Sequence, residues 1–169
     1  SSLRDAMFVD GLTDPLLGIG MGETAERIAD RHGITRQEQD AFAALSQSRV
    51  AASRAALARE IVPVGDVTAD EHPRADTTVE SLAKLKAAFR KDGTVTAGNA
   101  SGINDGAALV LVAGEEAVAR HALKPRARII ACAAVGCDPA VMGLGPVGAI
   151  RKLCAQTGWN LDQVDAIEI

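Results

Sequence analysis

At 169 residues, with 47% apolar side chains but only 2% aromatic, the chain suits one domain, or one domain and a fragment, with a core of alanine, valine and leucine. A net charge of −4 with mixed signs excludes nucleic-acid or membrane-surface binding driven by bulk electrostatics, and no apolar run reaches the length of a membrane span. Cys132, Cys137 and Cys154 are odd in number and lack metal-type spacing, so a disulfide framework is disfavoured and a reducing, cytoplasmic setting is expected.

Residues 1–22 lack periodicity and read as an ordered loop; their Gly18-x-Gly20-x-Gly22 spacing follows no strand and makes a poor nucleotide-phosphate loop. A helix is expected from Glu23, with Ala25, Ile28, Ala29 and His32 on one face and Gly33 as its stop. Thr35-Arg36-Gln37-Glu38 is a capping box that opens an alanine-rich helix to about Arg59, with Phe42 and Leu45 as inward anchors. Residues 60–67, broken by Pro63 and Gly65, make an edge or irregular strand, and residues 68–76 a polar surface loop. Thr78 caps a further helix on which Leu82, Leu85 and Phe89 recur at i, i+3 and i+7, leaving Lys84, Lys86, Arg90 and Lys91 as a basic outer side. That side is either a solvated face or a neighbour of an anionic ligand.

The stretch from Gly93 to Ala108 holds four glycines, two asparagines and an aspartate among short hydroxyl residues. Such composition serves a backbone that takes positive φ or approaches another group closely. It is either a structural turn or a loop shaped around a ligand, and it runs directly into an apolar strand at residues 107–112. A helix at residues 115–123, a boundary at Pro125 and a second apolar strand at residues 128–135 follow. Pro146 suits the first turn of a helix with Val147, Ile150, Leu153, Cys154 and Thr157 on one side, Gly158 ends it, and residues 166–169 begin a third strand. Strand, helix and strand at this separation predict a right-handed crossover in a parallel sheet.

The residues alone offer no catalytic set. Cys132 falls in an apolar strand and Cys154 on an apolar helix face, where free cysteine usually serves the core. Cys137 sits in a turn with no histidine nearby in sequence, and His32, His72 and His121 share no metal-binding spacing.

Four stretches nevertheless carry a resemblance. The run Gly93-Thr94-Val95-Thr96-Ala97-Gly98-Asn99-Ala100-Ser101-Gly102-Ile103-Asn104-Asp105-Gly106-Ala107 resembles, at nearly every position, the G-T-V-T-A-G-N-A/S-S-G-x-N-D-G-A signature of the thiolases. Asp138-Pro139-Ala140-Val141-Met142-Gly143-Leu144-Gly145-Pro146 resembles their D-P-x-x-M-G-x-G-P element. Gly11-Leu12-Thr13-Asp14 with Met21-Gly22-x-Thr24-Ala25-Glu26, and Arg36-x-x-Gln39-Asp40-x-Phe42-Ala43, match in the family's order and spacing. From about residue 11 to residue 169 the chain looks like the middle of a thiolase, and both ends are expected to be cut.

The resemblance implies an α/β fold: part of the five α-β-α-β-α layers, with an inserted, mainly helical loop domain. It divides the chain into residues 1–104 (most of a coenzyme A-covering loop domain), 105–124 (last strand and helix of the first core domain) and 125–169 (start of the second). Thiolases form or thiolytically cleave 3-ketoacyl-CoA by acyl transfer between coenzyme A thioesters, through a cysteine thioester. In the family the catalytic cysteine lies upstream of such a segment, and N-E-A-F, G-H-P and C-x-G motifs lie downstream. No residue here is therefore assigned a catalytic or metal role, and the segment alone is expected to be inactive. Coenzyme A and acyl-CoA enter as substrates, no tightly bound cofactor is expected, and the implied partners are the rest of the chain and further copies in a homo-dimer or tetramer.

Carried over by resemblance, Ser101 meets the pantetheine arm through its hydroxyl and Ala97 lines the same tunnel. Arg74 and Ser81 sit toward the nucleotide, Leu12 and Met21 flank the pantetheine and acyl end, and Met142 completes an apolar wall. Gly20 departs from the pattern, since many biosynthetic members carry histidine there, which leaves acyl length and reaction direction open. A non-catalytic acyl-CoA-binding or scaffold protein that keeps the loop domain is the alternative, and an unrelated α/β ligand-binding domain a third.

Overall fold

The computed structural model describes residues 3–169. Two units emerge: the chain up to Asn104 together with Asp138–Gly143, and Asp105–Cys137 together with Leu144–Ile169. The first opens with a π-helical turn, Met7–Gly11, and a small antiparallel hairpin of β1 (Thr13–Asp14) and β2 (Ile19–Gly20), with Thr13 opposite Gly20. Asp14 closes that hairpin, its Oδ1 accepting from the amides of Leu16 and Leu17 at 2.8 Å. Helix α1 (Met21–His32) follows at once and stops at Gly33, whose φ of 65° takes the left-handed conformation that ends helices cheaply. Two residues on, Thr35 caps α2 (Arg36–Leu57): its amide donates to Glu38 Oε2 at 2.7 Å and its hydroxyl accepts from the Glu38 amide at 3.2 Å.

Helix α2 has the expected bounds but not the expected inner face. Phe42 is 73% exposed and Leu45 46%, whereas Asp40 is 1% exposed. The burial still has helical period, since Arg36, Gln39, Asp40, Ala43, Ala44, Gln47, Val50 and Ala51 are the covered positions. Polar anchoring sets its phase: Asp40 is drawn inward by hydrogen bonds, and Phe42, about 200° further round the helix, must then point out. On α1, Thr24, Glu26 and Ala29 are buried and His32 is exposed, so that inner face is also more polar than its apolar spacing suggests.

The third helix is shorter than its Leu82, Leu85 and Phe89 spacing implies. α3 spans Val79–Leu82 behind a Thr78–Ser81 capping box. Its continuation is forestalled because Arg36 Nη2 donates to the carbonyls of Leu82 at 2.6 Å and Leu85 at 3.0 Å, oxygens a longer helix would use. The chain then turns, and Ala87 and Ala88 bridge to Thr96 and Val95 instead. Arg90 leaves the expected basic outer side and turns onto α1, with Nη1 2.6 Å from Asp30 Oδ2 and Nη2 3.5 Å from Glu26 Oε2. The Asp30 hydrogen bond holds that carboxyl below its ordinary range and keeps Arg90 more firmly protonated.

Glu26 is the anchor of this unit. Fully buried, it accepts from the amide of Thr94 through both oxygens at 2.9 Å, from the amide of Val95 at 2.9 Å and from the Thr94 hydroxyl at 3.1 Å. Gln39 reaches the same segment from α2, its Nε2 donating to Thr94 Oγ1 at 2.8 Å. Among the described residues no buried side-chain nitrogen or oxygen lacks a partner.

The second unit holds α4 (Glu115–Arg120) and α5 (Gly145–Thr157), the latter reached through a 3-10 turn at Pro139–Leu144 that begins in the first unit, with a further 3-10 turn at Leu161–Gln163. Pro146 lies in the first turn of α5 and Gly158 ends it at φ 73°. The strands expected at residues 107–112, 128–135 and 166–169 form no ladder; among the described residues the only named strand pair is β1 with β2. Leu109, Val110 and Leu111 are between 81% and 97% exposed. A strand exists only when its amides and carbonyls meet those of a neighbour, and these segments meet none among the described residues. Cys132 is consequently exposed rather than in a core, Cys137 is exposed and Cys154 half-buried.

Two measurements test these attachments. Replacing Glu26 by Leu strands two amides and a hydroxyl in a buried site, and urea unfolding should show a loss of about 3 kcal/mol, against which a loss below about 1 kcal/mol would deny Glu26 its anchoring role. The Thr35 amide and hydroxyl hold the Glu38 carboxyl below its ordinary 4.5. A depressed carboxyl stabilises fully above its unfolded value and loses that contribution as pH falls through the folded one. Glu38→Gln should therefore flatten the loss of helicity below pH 4.5, and an unchanged acid limb at 222 nm would count against the cap.

Candidate functional site

The glycine-rich loop is held from beneath and open above. Glu26 fixes Thr94 and Val95, and Val95 and Thr96 are buried. The next turn is closed internally: the Thr96 amide donates to Asn99 Oδ1 at 2.7 Å, while the amides of Gly98 and Asn99 donate to Thr96 Oγ1 at 3.2 and 3.3 Å. Asn99 Nδ2 donates to Thr94 O at 3.1 Å and to Asp40 Oδ1 at 3.0 Å. With those polar groups occupied, Ala97 and Ser101 are left exposed on the outer side.

Two glycines permit close approach here. A Cβ at Gly98 would stand 2.5 Å from both Leu82 Cδ2 and Leu85 Cδ1, so the loop rests on the leucines beside Ser81. A Cβ at Gly102 would collide with the His72 ring and stand 2.6 Å from its Nδ1, so the residue after Ser101 lies under a side chain two positions from Arg74. Ala97 is thus brought toward Ser81, and Ser101 toward the segment that carries Arg74.

Arg74 and Ser81 are both exposed. The Arg74 amide donates to Gln47 Oε1 at 2.8 Å, so α2 steadies its backbone. Ser81 Oγ donates to Thr78 O at 2.8 Å and accepts from the Thr78 amide at 3.1 Å, so its hydroxyl is already engaged in the cap. Leu12 and Met21 are half-buried and adjacent, the Met21 amide donating to Leu12 O at 2.9 Å. Met142 is 45% exposed in the turn before α5. The neighbouring Gly143 faces Ile28, since a Cβ there would stand 2.9 Å from Ile28 Cδ1, which sets the turn against α1.

A separate hollow lies elsewhere. An apolar trough of about 830 Å³ lies in the second unit, bounded by Ile129, Ile150, Leu153, Trp159, Val164 and Ile167. None of the residues assigned from the sequence lines it, and it follows from the missing ladder, because residues 128–135 and 164–169 splay over α5 without pairing. Among the described residues no cluster of histidine, cysteine, aspartate or glutamate could hold a metal ion, and no helix is long and apolar enough to cross a membrane.

The side chains that shape the loop had no role read from the sequence: Glu26, Arg36, Gln39, Asp40 and Asn99. The available signal was their phase. Glu26 shares a helix face with Ala29, and Arg36, Gln39 and Asp40 share one face of α2, so carboxylates on inner faces had to find donors inside the unit.

The chain is similar in sequence and fold to known proteins. Residues 1–116 match the thiolase N-terminal domain and residues 123–169 the thiolase C-terminal domain. The chain is 49% identical to an acetyl-CoA acetyltransferase of Allochromatium vinosum, over 99% of its own length and 45% of that protein's. It is 53% identical to a beta-ketoadipyl-CoA thiolase of Acinetobacter baylyi, over 88% of its own length and 40% of the relative's. Among solved structures it resembles human mitochondrial 3-ketoacyl-CoA thiolase in complex with CoA, with a TM-score of 0.91, 44% identity, and coverage of 97% of this chain and 43% of that one. The Bacillus anthracis acetyl-CoA acetyltransferase gives a TM-score of 0.90 at 43% identity, covering 98% of this chain and 44% of that one. The chain therefore spans under half the length of these relatives. By sequence and by fold, a partial α/β thiolase architecture with a mainly helical loop region, the chain belongs to the thiolase family.

Proposed function

We propose that this chain is part of an acetyl-CoA C-acyltransferase, which forms or thiolytically cleaves 3-ketoacyl-CoA by acyl transfer between coenzyme A thioesters, and that its residues 1–104 are most of the loop domain that covers coenzyme A. The observation that carries the reading is the loop at residues 93–102, fixed through its inner amides by Glu26 while small Ala97 and Ser101 stay exposed. A pantetheine arm is narrow, carries amides, and suits such a surface. Ser101 supplies a hydroxyl to it and Ala97 leaves it room. Arg74 offers a guanidinium fork to phosphate or a plane to adenine. Ser81 stands beside the nucleotide, its hydroxyl shared with the helix cap. Leu12 and Met21 flank the arm and the acyl group, and Met142 contributes an apolar wall.

In this reading coenzyme A is a substrate and no tightly bound cofactor takes part. Nucleophile, acid/base pair and oxyanion donors come from outside these residues, in the rest of a thiolase chain that assembles as a homo-oligomer in the cytoplasm. Fatty acid oxidation is the metabolic setting the resemblance implies.

Titration calorimetry with coenzyme A should give saturable binding to the chain. Arg74→Ala should weaken it about tenfold, since a charge-assisted contact to phosphate is worth roughly 1.5 kcal/mol. Equal affinity of the two proteins would remove Arg74 from the site, and no uptake by the unaltered chain would overturn the reading. Acetoacetyl-CoA should not be cleaved by the 169-residue chain, and measurable thiolysis would show that the chemistry resides within it.

A further inference from the structure

Ser81 and the Ala97–Ser101 stretch belong to different segments, yet one coenzyme A has to touch both if the coenzyme A reading holds, and the following inference rests on that reading. A single line of side chains joins them. Arg36 Nη2 donates to the carbonyls of Leu82 and Leu85 at 2.6 and 3.0 Å, holding the turn that follows Ser81. Arg36 Nε donates to Asp40 Oδ2 at 2.7 Å, and Asp40 Oδ1 accepts from Asn99 Nδ2 at 3.0 Å. Asn99 then closes the loop turn through the Thr96 amide at 2.7 Å and the Thr94 carbonyl at 3.1 Å.

We propose that Arg36, Asp40 and Asn99 are positioning residues for coenzyme A, which set the Ser81 turn and the Ala97–Ser101 loop in the register that lets one thioester arm lie along both. Three features favour this role over general support. Each atom in the line has a fixed donor or acceptor sense, so the line specifies an orientation rather than mere proximity. Asp40 is 1% exposed and both its oxygens are used, so neither end can shift without leaving a buried oxygen without its donor. Attachment of the loop to α1 is secured independently by Glu26, so the line adds alignment where anchoring already exists. It also accounts for the charged residues of the Arg36-x-x-Gln39-Asp40 motif, none of which is assigned to the ligand.

The test compares the unaltered chain, Asp40→Asn, Asn99→Asp and the double variant by calorimetric titration with coenzyme A. Hydrogen exchange at the amides of residues 94–99 is followed in parallel. Asp40→Asn sets donor against donor, and Asn99→Asp sets carboxylate against carboxylate. Each should weaken coenzyme A about tenfold and speed exchange at the Thr96 amide. The double variant restores the polarity, because the amide introduced at position 40 donates to the carboxylate introduced at position 99 while still accepting from Arg36. Its affinity should return to within about threefold of the original, the remainder reflecting the lost donor to Thr94 O.

Single variants that bind as the unaltered chain does, or a double variant no better than the worse single, would overturn the positioning role while leaving the coenzyme A reading in place. An unaltered chain that takes up no coenzyme A overturns both. Should a single variant be unfolded by circular dichroism, Asn99→Ala, which alters only the loop side, decides the matter: about tenfold weaker binding supports the proposal, and unchanged binding removes it.

Discussion

A carboxylate without contact with water must be surrounded by donors, and Glu26 has the amides of Thr94 and Val95, the Thr94 hydroxyl and Arg90 around it. The first unit is built around that requirement. Helix α1 must keep Glu26 on its covered side, the loop must present consecutive amides to it, and Arg90 must turn back from the segment beyond α3. Among the described residues its buried apolar side chains are few, Ala29, Leu82, Val95 and Val141, so shape comes from directed bonds as much as from area removed from water. That division of labour suits a surface for a slender polar ligand. The anchoring bonds consume the inner polar groups and leave the outer face to small side chains.

Local signals were the legible part of the sequence. Gly33 and Gly158 end their helices in the left-handed conformation, Thr35 and Glu38 satisfy each other, and Pro146 opens α5. All of these depend on residues within one turn of each other. Inner faces differ from their apolar spacing where they depend on partners far along the chain. Phe42 and Leu45 have the spacing of core anchors, but α2 takes its rotation from Asp40, whose partner Asn99 is far away in sequence. Leu82, Leu85 and Phe89 have the spacing of a longer helix, but Arg36 intercepts two carbonyls from another element.

The strand expectations show a different gap between pattern and structure. Residues 107–112 and 128–135 are mostly apolar, and the chain follows solved thiolases closely, yet among the described residues these segments make no ladder. Pattern reports which conformation a segment favours; pairing requires a neighbour of the right register. For the site, the family signature identified the loop, while the carboxylates beneath it stayed without a role, because a motif lists residues and leaves open which of them face inward.

The elbow between α1 and α2 has a consequence for how the chain tolerates change in length. Gly33 closes one helix and Thr35 opens the next with a single residue, Ile34, between them. A residue removed there would leave too little chain between the stop of α1 and the cap of α2, and one added would push the start of α2 off its place. Asp40 would swing out of its seat while Glu26 remained in place, and the loop would be gripped at one end only. Point substitutions at Ile34 are open to variation, but insertions and deletions at this joint are closed to it.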